Sequence, residues 1–83
     1  MSARLKLPEP LDRLLRSQLE TAIQEAAFHR DDDLIARRYI IEKWAQIDIA
    51  AELGWRRSTV GDHLKYILKR VIEVSEQLYT KRT

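Results

Sequence analysis

The sequence predicts an all-α protein folded as one four-helix domain, and three observations carry that expectation. Eighty-three residues suffice for one small hydrophobic core. Only two Gly and two Pro punctuate a chain that is 45% hydrophobic and 34% charged, which is too apolar for disorder and too poor in turn residues for a sandwich or barrel. Apolar residues also recur at steps of three and four along most of the length, the spacing of amphipathic helices.

Each element has its own signal. Pro10 suits a first helical turn, where its missing N–H is no loss, and Leu11, Leu14, Leu15, Leu19, Ala22, Ile23, Ala26 and Ala27 follow at helical spacing. An N-terminal helix over residues 10–28 is expected. Asp31, Asp32 and Asp33 can cap a second helix over 33–43, with their charge at its positive end. Leu34, Ile35, Tyr39, Ile41 and Trp44 would turn inward, and Arg37, Arg38, Glu42 and Lys43 outward. A short third helix over 46–53 stops at Gly54, a residue free to adopt the left-handed conformation that ends helices. Residues 56–79 form one long last helix, whose stripe Val60, Leu64, Ile67, Val71, Val74 and Leu78 alternates steps of four and three. No repeat or linker divides the chain, so residues 1–83 read as a single domain: the helix 10–28, a core over 33–70, and an extension of the last helix over 71–80.

Composition narrows the function. Without Cys there is no disulfide framework, no thiolate zinc site and no thiol catalysis. No apolar stretch approaches the roughly 20 residues of a membrane helix, and residues 1–6 hold no apolar signal core, so a cytoplasmic protein without membrane contact is expected. The two His show no metal-ligand spacing, and two Gly cannot build a phosphate-cradling loop. Neither an enzyme nor a cofactor or metal is expected, and the aspartate triplet reads as a cap.

Charge is uneven despite a net +2. Residues 1–33 hold 5 basic and 7 acidic side chains, and residues 34–83 hold 10 and 6, so the halves carry −2 and +4. Arg56, Arg57, Lys65, Lys69 and Arg70 lie within fifteen positions that contain one acid, Asp62. Such a patch is either a solvated helix face or the footprint of a polyanion binder.

The segment from Gln46 to Lys65 favours the second reading. It pairs a short helix with a Gly turn and a second helix; Ala50 can admit a close crossing, and Ile49, Leu53, Trp55, Val60 and Leu64 can fill the space between. That is the layout of a helix-turn-helix, in which one helix braces another that enters the DNA major groove. Trp44 and Trp55 read as core anchors, and His63 as a packed or capping histidine at the core edge.

These residues resemble the helix-turn-helix superfamily of sigma factor region 4 and the LuxR/NarL-type regulators. Ile49-Ala50, Leu53-Gly54, Ser58-Thr59-Val60, His63-Leu64 and Ile67-Leu68 carry the likeness over residues 46–70. Arg38-Tyr39-Ile40 and the tail through Glu73 and Glu76-Gln77-Leu78 look more like the small ArpU/RinA-type regulators of Gram-positive phages. The resemblance implies double-stranded DNA as partner, with contacts on Arg57, Ser58, Thr59, Gly61, Asp62 and Lys65, and phosphate contacts from Arg56, Lys69 and an upstream Lys43 or Gln46. Two departures stand out: Arg56 replaces the usual capping residue, and Gly61 replaces a frequent basic residue. Side-chain chemistry suits these sites, because Arg57 or Lys65 can donate to guanine, Asp62 can accept from cytosine, and Thr59 can meet a thymine methyl.

The long last helix extends beyond what DNA contact needs. Its stripe is expected to pack on Leu11, Leu15, Leu19 and Ile23, with pairing to the same helix of a second subunit as a further option. A transcription regulator is the leading expectation. A sigma-like module recruiting RNA polymerase, or an oligomerising phage DNA-packaging protein, are the alternatives.

Overall fold

The computed structural model describes residues 6–80, whose regular structure is helical, without a strand among them. Residues 1–5 and 81–83, which the sequence reading includes in the domain, lie outside the described part. Four helices follow a single 3-10 turn at Leu11–Arg13: α1 (Arg16–Ala26), α2 (Arg30–Ala36), α3 (Gln46–Leu53) and α4 (Arg57–Ser75). Wider turns with i→i+5 bonding prolong α2 over Arg37–Ile41 and α4 over Glu76–Thr80.

The first helix begins later than expected. Pro10 governs only the 3-10 turn, after which Leu14 and Leu15 are extended, with ψ values of 150° and 157°. Gln18 then sets the start of α1, because its Oε1 accepts the Leu15 N–H at 2.9 Å. Leu15 is consequently 66% exposed and does not join the apolar face assigned to it.

Ala27 closes α1 in the left-handed conformation at φ 56° and ψ 51°, a region costly for a residue with a Cβ. Ala27→Gly is therefore expected to stabilise the protein by about 1 kcal/mol, read as a rise in the midpoint of a denaturant titration. An unchanged or lower midpoint would contradict the strain.

Only Ala27, Phe28 and His29 separate α1 from α2, and this short link moves the start of α2 to Arg30. Asp31, Asp32 and Asp33 thus occupy the first turn of the helix, where their charge still suits its positive end, and the extended residue before it is His29. None of the three is the cap. The inward face also differs: Ile35, Ala36 and Ile40 are fully buried, whereas Leu34, Tyr39 and Ile41 are only partly so.

One core unites the described residues. Leu7, Leu11, Leu19, Ala22, Ile23 and Ala26 meet Ile35, Ala36, Ile40, Ile49 and Ala50 around the α4 stripe of Val60, Leu64, Ile67, Val71 and Val74. Helices α1, α2 and α3 all pack on α4. The predicted stripe holds as far as Val74, but Leu78 is 44% exposed, because the wide turn after Ser75 rotates it out of line. Trp44 and Trp55 are partly buried against the core, as anchors should be.

Arg38 joins α2 to α3. Its Nε and Nη2 donate to Glu52 at 3.0 and 3.2 Å, its Nη1 donates to Glu42 at 2.9 Å, and the guanidinium lies 4.7 Å from the Trp44 ring centroid. The hydrogen bonds from Arg38 hold the Glu52 carboxyl below its ordinary pKa. A carboxylate depressed in the folded state stabilises above its unfolded pKa, and that contribution is lost as pH falls through the lower folded value. Wild type should therefore lose stability relative to Glu52→Gln as the pH drops below the ordinary carboxylate range of about 4.3. Parallel stability curves for the two proteins across that window would refute the coupling.

Candidate nucleic-acid interface

The α3–turn–α4 segment forms as its residues suggest. Gly54 takes φ 72° and ψ 28° and ends α3, and the Trp55 N–H donates to the Ala50 carbonyl at 2.9 Å. Arg56 is extended, so α4 begins at Arg57, one residue beyond the expected start. Its carbonyl accepts the N–H groups of Thr59 and Val60, while no side chain caps the helix, Ser58 included. The backbone N–H groups of Arg57 and Ser58 are thus the first-turn donors left without a partner.

His63 fixes the orientation of this helix. Its ring lies 4.9 Å from the Trp55 ring, tilted by 47°, and its Nδ1 is 2.7 Å from Asp32 Oδ1 on α2. The expected packed histidine is therefore also a cross-link. One member of the aspartate triplet braces α4, and another, Asp33, accepts from Arg37 Nε at 3.0 Å.

Six of the nine candidate residues converge. Gln46, Arg57, Ser58, Gly61, Asp62 and Lys65 line one open groove of about 440 Å³ between the start of α3 and the outer face of α4. The helical repeat explains this, since positions 57, 58, 61, 62 and 65 share a face. Arg56 stands exposed at the head of α4, and Lys69 is exposed one turn beyond Lys65. Thr59 is half-buried and lies off the groove, because it flanks the inward-facing Val60 and His63.

Leu64 and Leu68 add apolar surface to the groove lining, a placement that neither the core-facing stripe nor the motif spacing announces. A second hollow, lined by Tyr39, Ala45, Gln46, Ile47 and Arg57, lies on the other side of Gln46. Ile47 there is 62% exposed, and the clue was available: Ile49, Ala50 and Leu53 take the inward positions of α3 and leave Ile47 off that face.

Gly61 sits inside α4, where glycine costs about 1 kcal/mol relative to alanine. A Cβ at this position would stand 3.2 Å from Gln46 Oε1. The space beside Gly61 is thus taken by the end of the Gln46 side chain.

The arginine of α1 and those of the wide turn that prolongs α2 are paired with carboxylates, as is Arg13, while the cations of α4 and its head are not. Arg13, Arg16, Arg37 and Arg38 each pair with a carboxylate. Among the described residues, Arg56, Arg57, Lys65, Lys69 and Arg70 on the last helix and its head make no ion pair, and neither does Asp62. No group of three His, Asp or Glu side chains among the described residues is arranged to hold a metal ion, and no helix there is long and apolar enough to cross a membrane.

No protein-family model, curated protein or solved structure matches the chain.

Proposed function

We propose that the protein is a sequence-specific DNA-binding transcription regulator that lays the start of α4 in the major groove of double-stranded DNA. One observation carries this reading: Arg57 and Lys65 in the groove and Arg56 and Lys69 at its rim gather on one helix and its head without an ion pair, whereas Arg13, Arg16, Arg37 and Arg38 are each paired with a carboxylate. Unpaired Arg and Lys keep their full charge for phosphate, and each phosphate neutralised releases condensed counterions. Arg57, Ser58 and Lys65 supply donors toward base edges, and Asp62 supplies an acceptor for cytosine. Arg56 and Lys69 flank this face at the ends of the contact and hold backbone phosphate. The bracing of α4 by His63 and Asp32 keeps the reading face from turning when it meets DNA.

Binding to mixed-sequence duplex and to duplex enriched by repeated selection, each measured across a salt series, tests the proposal. A preferred sequence and a log-linear fall of affinity with salt are expected. A folded wild type that binds neither duplex would overturn it; a higher oligomer in sedimentation would then point to an assembly role, and co-purification with RNA polymerase to a recruiting module.

A further inference from the structure

Gln46 differs from every other groove residue. The residue is half-buried, yet no protein group hydrogen-bonds to its amide, which is left open to the groove, and it lines both the groove and the second hollow. Arg57 lines both as well. The Oε1 lies close against α4 at Gly61, in a space that any larger residue would begin to fill. Leu64 and Leu68 in the same lining are apolar, and none of its polar side chains hydrogen-bonds to the amide.

A carboxamide presents one acceptor and one donor side by side. Phosphate offers acceptors alone, so an amide held against it would use only half of its capacity. Adenine in the major groove offers the complementary pair, the N7 acceptor and the N6 donor, which Gln or Asn meets with two hydrogen bonds. We infer that Gln46 reads an adenine edge next to the contact made by Arg57, and that Gly61 is the residue that positions it. This rests on the DNA-binding reading above. It also gives the helical glycine a purpose: stability is lost in α4 so that the amide can lie across the helix.

The test determines selected binding sites for wild type, Gln46→Ala, Gly61→Ala and Arg57→Ala, and compares affinities for duplexes that differ by one base pair. Gln46→Ala should lose roughly 5- to 150-fold of discrimination for A·T at one position, the equivalent of about 1–3 kcal/mol, and keep the preferences elsewhere. Gly61→Ala should lose discrimination at the same position while its melting temperature rises by a few degrees, a combination that simple damage to the fold cannot produce. A Gln46→Ala protein weakened equally on all sequences would overturn the inference in favour of a phosphate contact. Unchanged discrimination in Gln46→Ala, alongside a loss in Arg57→Ala, would overturn it and leave the DNA-binding reading standing. A wild type without sequence preference would overturn both.

Discussion

Ile67→Ala is expected to lower stability by about 2–5 kcal/mol and the melting temperature by roughly 10–30 °C. Ile67 is fully buried in the middle of α4, where the other three helices pack. Truncation removes its transfer free energy and leaves a cavity that fixed neighbours cannot fill. A domain of 83 residues has a total stability of about 4–12 kcal/mol, so this one change consumes a large share of it. Ile47→Ala serves as the comparison, because the same side chain there is mostly exposed and its loss should cost little. Melting curves followed by far-ultraviolet circular dichroism check both, and similar midpoints for the two variants would contradict the packing described.

The largest effect on binding is expected from the double variant Arg57→Ala, Lys65→Ala. Each side chain lines the groove, is exposed, and makes no ion pair, so the folded protein should lose less than about 0.5 kcal/mol of stability. Affinity for the selected duplex should fall by about 1–3 kcal/mol for each side chain that reads a base, and the salt slope should flatten by about one for each phosphate contact removed. Lys69→Ala, outside the groove, should weaken all sequences nearly alike. Titrations at several salt concentrations separate the two patterns. Equal affinity of the double variant and wild type, both folded, would remove α4 as the reading helix.

Much of the fold was legible because it rests on local signals. The bounds of the third helix follow from Gly54, whose left-handed backbone is the conformation anticipated, and the stripe from Val60 to Val74 follows from helical spacing. Contacts between residues far apart in sequence left no such trace. The fork from Arg38 to Glu52 spans fourteen positions and the link from His63 to Asp32 spans thirty-one, and no periodicity announces either. The start of α1 was misread because a proline permits a helix to begin without requiring it, and the backbone bond to Gln18 decided the matter. The groove was legible by residue type, since its donors share a helical face. Its apolar lining at Leu68 and the meeting of Gln46 with Gly61 depend on how two helices cross, which spacing alone does not encode.

That α4 receives all three other helices has a consequence for how the molecule can change during evolution. The same nineteen residues serve as central beam and, under the proposed function, as reading face. Substitutions at the exposed positions 57, 58, 62 and 65 alter the outward side of that beam and leave Val60, Leu64 and Ile67 in place. If α4 reads DNA, new sequence preferences are therefore reachable by single steps without an intermediate that fails to fold, whereas a shift of the helix by one residue, a rotation of about 100°, would turn the apolar stripe out of the core.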